Sequence, residues 1–202
     1  MNKKSIMIGV LLISFLTLFC DNSNIVLQKL FQKYETINSY KADFRQINFW
    51  NELEIEKESI GIMRYNDDKL ILRYSEPDGQ CLYIDNDKMI IYDANSKQVM
   101  ISDLNYIVSE IRPIKIIQYY SKKSEISIEA NKMIMNVKND DFIRLIEVEY
   151  SSYFEIKNLK YYDYDNNTVS YNFRNIEINL EMKEELFDVN FPEDASIIDN
   201  RR

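Results

Sequence analysis

Two glutamates and two cysteines are the residues of this chain whose placement invites a chemical reading. Glu147 and Glu149 flank Val148 between Ile146 and Tyr150, so on a strand both carboxylates face one side, roughly 7 Å apart by strand rise. That separation suits glycoside hydrolysis by paired carboxylates. Charged residues alternating with apolar ones are far more often the solvated face of a sheet. Cys20 closes an apolar run and Cys81 stands alone. The chain has no histidine, which removes Ser-His-Asp and Cys-His nucleophile pairs and His-ligated metals. Its three glycines, Gly9, Gly61 and Gly79, are too scattered to cradle a phosphate. No catalytic residue, metal or cofactor is therefore expected.

Charge removes another class. Lys and Arg total 25 against 33 Asp and Glu, a net charge of -8. Such an acidic surface repels a phosphate backbone and gains nothing from counterion release, so nucleic acid is not an expected partner.

The N-terminus assigns a compartment. Lys3 and Lys4 precede an apolar run of 14 residues, Ile6 to Phe19, long enough for a signal-peptide core and short of the ~20 residues that span a bilayer. Residues 1–20 read as a signal peptide and 21–202 as one domain in the periplasm. Leu16-Thr17-Leu18-Phe19-Cys20 resembles a lipoprotein processing site, at which Cys20 becomes the acylated N-terminus and anchors the chain to a membrane; Phe19 is bulky for that role. Ordinary processing after Cys20 is the alternative, with Leu18 its poor fit. Either way Cys81 is the only free thiol and no structural disulfide is expected.

The elements that position everything else follow from periodicity. Ser23 or Asn24 can cap a helix bearing Leu27, Leu30, Phe31, Tyr34 and Ile37 at spacings of three and four. From Ser39 the period becomes two: Ala42 and Phe44, then Leu53 and Ile55, then Ile60 and Met63 about Gly61. Leu70, Leu72 and Tyr74 follow, then Leu82 and Ile84, then Met89 and Ile91, separated by Asp67-Asp68, Pro77-Asp78-Gly79 and Asp85-Asn86-Asp87 turns. Connections this short imply sequential antiparallel neighbours. Strands resume with Ile126 and Ile128, Met133 to Val137, Ile146 to Tyr150, and Val169 to Phe173; Ile176, Ile178 and Leu180 continue on shifted parity, which predicts a bulge near Arg174-Asn175. The architecture expected is mainly β: one long, bent, one-faced antiparallel sheet of about 10–11 strands wrapped toward a barrel, with an N-terminal helix and a helical insert. In the insert, Leu104, Ile107, Val108 and Ile111 have helical spacing, and Pro113 can start a second helix bearing Ile114, Ile116, Ile117 and Tyr120. Such a stripe either completes the core or forms a movable lid.

Three segments in order resemble the LolA/LolB superfamily of bacterial lipoprotein carriers, and LolA in particular. They are Phe44-Arg45-Gln46, the stretch SEPDGQCLYIDNDKMIIYDANSKQV, and the closing NFRNIEINLEMKEELFDVNFPEDASIID. The resemblance runs from the first helix to Asp199. It departs at Asp85-Asn86, where the family has Asp-Gly, and at Pro192-Glu193-Asp194, where the family's glycine is lost.

The resemblance implies an incomplete antiparallel β-barrel whose helical insert encloses an apolar cavity, and a monomeric periplasmic carrier that holds the acyl chains of lipoproteins there. Its donor would be an inner-membrane lipoprotein-releasing transporter, and its acceptor an outer-membrane receptor or the membrane itself. A LolB-like anchored receptor or scaffold, acylated at Cys20, is the alternative. The family also implies an arginine that latches the lid: Arg64 is the first candidate and Arg73 its rival. Leu70, Leu72, Tyr74, Leu82, Ile84, Met89 and Ile91 would line the acyl cavity, with Leu104, Ile107, Val108, Ile111, Ile114 and Ile117 as lid. Alternation turns Ile71 and Arg73 outward.

Overall fold

The computed structural model describes residues 22–66, 69–85, 88–103 and 112–201. Cys20 and the rest of 1–20, the turn residues Asp67, Asp68, Asn86 and Asp87, and the lid residues Leu104, Ile107, Val108 and Ile111 lie outside them.

Helix α1 (Asn22–Glu35) is followed by strands β1 (Ser39–Trp50), β2 (Ile55–Asn66), β3 (Lys69–Glu76), β4 (Cys81–Asp85), β5 (Lys88–Asp93) and β6 (Gln98–Asp103). Helix α2 (Pro113–Ser121) leads into β7 (Ser124–Glu129), β8 (Lys132–Val137), β9 (Leu145–Tyr150), β10 (Ile156–Tyr162) and β11 (Thr168–Ile178). A 3-10 turn (Glu184–Phe187) and β12 (Ser196–Asp199) complete the chain. All twelve strands form one open sheet in the order β12-β6-β5-β4-β3-β2-β1-β11-β10-β9-β8-β7. Its logic is two antiparallel meanders, β1 to β6 and β7 to β11, joined by pairing the first strand with the eleventh. The expected ten or eleven strands become twelve because β12 adds to β6, in parallel.

The bulge expected near Arg174-Asn175 is present. Lys41 faces Glu177 while Asp43 faces Arg174, so three residue steps on β11 match two on β1. Asn175 takes a φ of 50°, which asparagine tolerates, and its Nδ2 donates to Asp43 Oδ2 at 2.6 Å. One reading is corrected and one strand is added. Leu53 belongs to the β1–β2 turn rather than to a strand, and is 67% exposed; Glu54 beside it adopts a φ of 52°. Strand β10 has no clear trace in the periodicity, because a register shift between Ile156 and Asn158 separates its buried Ile156 and Leu159 by three positions and hides the period of two.

The sheet has a concave and a convex face, and both are covered in part. On the concave side Val26, Leu27, Leu30 and Tyr34 of α1 and Ile114 and Ile117 of α2 join the main apolar core. On the convex side the chain after β11 runs back as a strap. Phe187 is buried against Ile71 and Tyr83, and Val189 and Phe191 pack beside Cys81, Tyr92 and Val99. Polar ties hold the strap: Arg73 donates to the Asp188 carbonyl, Lys69 pairs with Glu184 and Lys97 with Asp194. Gly61 sits at the register shift between β2 and β3; a Cβ there would lie 2.2 Å from the Arg73 carbonyl oxygen and 2.9 Å from Phe44 Cζ.

Candidate functional site

The concave face is built by rows of residues that strand register brings side by side. One row runs Tyr40, Tyr65, Leu70, Ile84, Met89 across β1 to β5, and the next runs Ala42, Met63, Leu72, Leu82, Ile91. All seven residues expected on this wall stand on this face, Tyr74 beside Phe44. Leu70, Leu72 and Ile84 are buried, while Tyr74, Leu82, Met89 and Ile91 are half-buried. The second meander supplies the facing wall through Ile128, Met133, Val148, Leu159 and Tyr171 in one row. Met63, Met133 and Met135 are fully buried here, soft side chains that accommodate irregular shapes.

Connectivity decides what covers this face. Strands β6 and β7 stand toward opposite ends of the sheet, and α2 is the described element that lies between them in the chain. Helix α2 packs on α1, β7 and β8. Pro113 opens it at the position where its missing N–H costs nothing. Ile114 and Ile117, both expected in the lid, point into the core. The end of α2 is tied down by Lys123, whose Nζ pairs with Asp140 at 2.5 Å and lies over the rings of Tyr119 and Tyr120. Burial alone would raise the Asp140 carboxyl; the Lys123 ammonium and the N–H groups of Ile143 and Phe142 outweigh it and hold it below the usual aspartate range.

The same register places the expected latch on the opposite face. Arg64 pairs with Lys41 and Ile71, so its side chain stands on the convex face, opposite α1 and α2. Arg73 lies on that face too, bonded to the strap. Strand alternation gives the residues beside Arg64, Met63 and Tyr65, to the concavity instead.

The polar atoms within the concave face are few and mostly phenolic. Tyr74 donates to Gln46 Oε1 at 3.0 Å, and burial pushes its hydroxyl up to about 12. Tyr34 of α1 accepts from the Ile156 N–H at 3.0 Å and is also pushed up to about 12, by burial first. Tyr40 and Tyr65 stack with centroids 4.8 Å apart. Sequence reading passes over Tyr40 and Tyr65; the signal is available, since both occupy apolar positions of alternating strands.

The carboxylate pair Glu147 and Glu149 lies on the convex side of β9, away from this lining. Glu147 pairs with Lys132 at 2.8 Å and accepts from Tyr162 Oη at 3.1 Å, contacts that fit a solvated strand face. What the concave arrangement can do chemically is hold apolar matter away from water. Among the described residues no group of His, Cys, Asp and Glu could hold a metal, and no helix is long and apolar enough to cross a membrane.

Comparison with known proteins agrees with this architecture. The family model described as outer membrane lipoprotein carrier protein LolA matches residues 35–190. No curated protein matches in sequence. Among solved structures, an uncharacterized conserved protein from Thermus thermophilus superposes with a TM-score of 0.58 at 10% identity, over 90% of this chain and 100% of that one. An outer membrane lipoprotein-sorting protein domain from Vibrio parahaemolyticus gives a TM-score of 0.47 at 11% identity, over 83% and 97%. A LolA superfamily protein from Nitrosomonas europaea gives 0.45 at 6% identity, over the same shares.

Proposed function

Since the chain belongs to the LolA family of outer membrane lipoprotein carrier proteins, we propose that it holds the acyl chains of lipoproteins against its concave face and moves them through the periplasm toward the outer membrane. The observation that carries this reading is the apolar concave face itself, whose core includes residues of both meanders together with Ile114 and Ile117 of α2. Exposing an acyl chain to water costs about 0.8 kcal/mol per methylene, so three long chains cost tens of kcal/mol, and a carrier has to enclose them. Leu70, Leu72, Tyr74, Leu82, Ile84, Met89 and Ile91 form one wall of the enclosure, and Ile114 and Ile117 of α2 close it from the side of β7 and β8. Because α1 and α2 already bury much of this face, cargo enters by exchanging helix-to-sheet contacts for acyl-to-sheet contacts. Loading and release then depend on differences in affinity between donor, carrier and acceptor: an inner-membrane transporter that releases lipoproteins, this chain, and a receptor or the outer membrane.

The test is extraction. Purified protein is incubated with membrane vesicles bearing a radiolabelled lipoprotein and the energised inner-membrane transporter, and the supernatant is examined for a one-to-one soluble complex. A soluble complex is expected. If no label leaves the vesicles and the protein binds no fluorescent fatty acid, the carrier reading fails. Intact-mass measurement of the mature protein separates the two modes of action: fatty acyl groups on Cys20 would make the same fold an anchored receptor instead of a diffusing carrier.

A further inference from the structure

Tyr40 is 1% exposed, and its hydroxyl has no hydrogen-bond partner among the described residues. A phenylalanine would fill the same space without that penalty, since an unsatisfied buried donor costs more than the bond it could make contributes. The hydroxyl does not stand alone. Tyr65 stacks on Tyr40 nearly parallel, at 9°, and Tyr34 reaches in from α1 with its oxygen already accepting from the Ile156 N–H, which leaves its proton free to be given. Burial, then the mutual proximity of these phenols, raises the ionisation of Tyr40 and Tyr65 well above the ordinary tyrosine value. All three are therefore neutral donors at any working pH. They sit at the end of the concave face where β1 begins and β2 ends, under α1 and beside Arg112, at the start of α2.

This cluster needs an acceptor, and its surroundings select the kind. Glu155, itself paired with Lys157 at 3.0 Å, disfavours negative charge beside Tyr34 and Tyr40 while Arg112 favours it beside Tyr65, so the two charges offset. It is the burial of the Tyr40 hydroxyl that argues against a phosphate or a free carboxylate, since an anion loses most on leaving water. A hydrocarbon chain offers no acceptor along its length. The neutral carbonyl that joins the chain to its head does. Resting on the acyl-carrier reading above, we propose that Tyr40, flanked by Tyr34 and Tyr65, is a hydrogen-bonding subsite for the ester or amide carbonyls at the head of the cargo's acyl chains. It gives the bound lipid a fixed depth that apolar contact, which is indifferent to sliding, cannot supply.

The test compares two synthetic lipopeptides of equal chain length, one with two palmitoyl esters on its glyceryl-cysteine and one with two hexadecyl ethers, which lack the carbonyls. Each displaces a fluorescent fatty acid from the wild type and from Tyr40→Phe, and thermal denaturation is recorded for both proteins. The wild type should prefer the ester by roughly 3- to 10-fold, the worth of one buried hydrogen bond. Tyr40→Phe should erase the preference, keep the wild-type affinity for the ether, and melt no lower than the wild type. Equal affinity of the wild type for both lipopeptides overturns the subsite and leaves the carrier reading standing. A variant that loses stability and weakens both ligands equally also overturns it, because the hydroxyl would then serve the fold. Binding of neither lipopeptide, nor of the fatty acid, overturns both readings.

Discussion

Ile117→Ala separates a movable cover from a fixed wall. Ile117 is completely buried at the middle of α2, and truncating a buried isoleucine to alanine costs about 2–5 kcal/mol. If α2 must leave the sheet for an acyl chain to enter, that loss falls on the closed state and spares the open one. Apparent affinity scales with the open fraction, so even 2 kcal/mol raises acyl affinity roughly thirty-fold, until the open state dominates and the gain levels off. Titration with a fluorescent fatty acid reads the affinity; thermal denaturation and amide exchange over 113–121 read the closed state. The expected outcome is a lower Tm, faster exchange in α2, and at least about tenfold tighter binding. Ile146→Ala serves as the control: that side chain is equally buried but belongs to the sheet, so its loss should lower Tm without tightening binding. If Ile117→Ala loses stability and binds no better than the wild type, α2 is a fixed part of the core and the reasoning about entry is refuted.

Two further outcomes follow from particular contacts. Gly61→Ala should destabilise by about 3 kcal/mol or more, because its Cβ would lie 2.2 Å from a backbone carbonyl that cannot swing aside; urea denaturation within about 0.5 kcal/mol of the wild type would show that β2 and β3 separate easily there. Asp140 has a folded pKa below its ordinary value of 3.8, so its contribution is present above that value and is lost as pH falls through the folded one. The stability gap between the wild type and Asp140→Asn should therefore be full at pH 7 and shrink below about pH 4. A gap that stays constant down to about pH 2 would show that the Lys123 contact adds nothing.

What the sequence makes legible is whatever repeats. The spacing of Leu27, Leu30 and Tyr34 marks α1, Pro113 marks the start of α2, and the parity change after Phe173 marks the bulge. Strand β10 escapes because its own bulge breaks the period. The convex strap escapes a reading of the sheet as one-faced, yet the run Leu70-Ile71-Leu72 is buried on all three residues, and an unbroken apolar run is the mark of a strand covered on both sides. Arg64 stands as latch only by likeness of motif; counting strand parity from Met63 turns it outward. The wall residues from Leu70 to Ile91 are legible because alternation and resemblance agree. The phenol cluster is not, since nothing local says that Tyr34, Tyr40 and Tyr65 meet.

The pairing of β1 with β11 also sets a timetable for folding. Asn38 N–H donates to Asn179 Oδ1 at 2.9 Å across 141 positions of sequence, and every rung between β1 and β11 closes a loop of comparable length. Each meander can zip from its own hairpins, but neither can bury its apolar face until β11 has been delivered. Contacts this distant are slow to form. A ribosome or translocation channel still holding residues beyond 168 therefore holds two unjoined half-sheets, and the eleventh strand converts them at one stroke into a container.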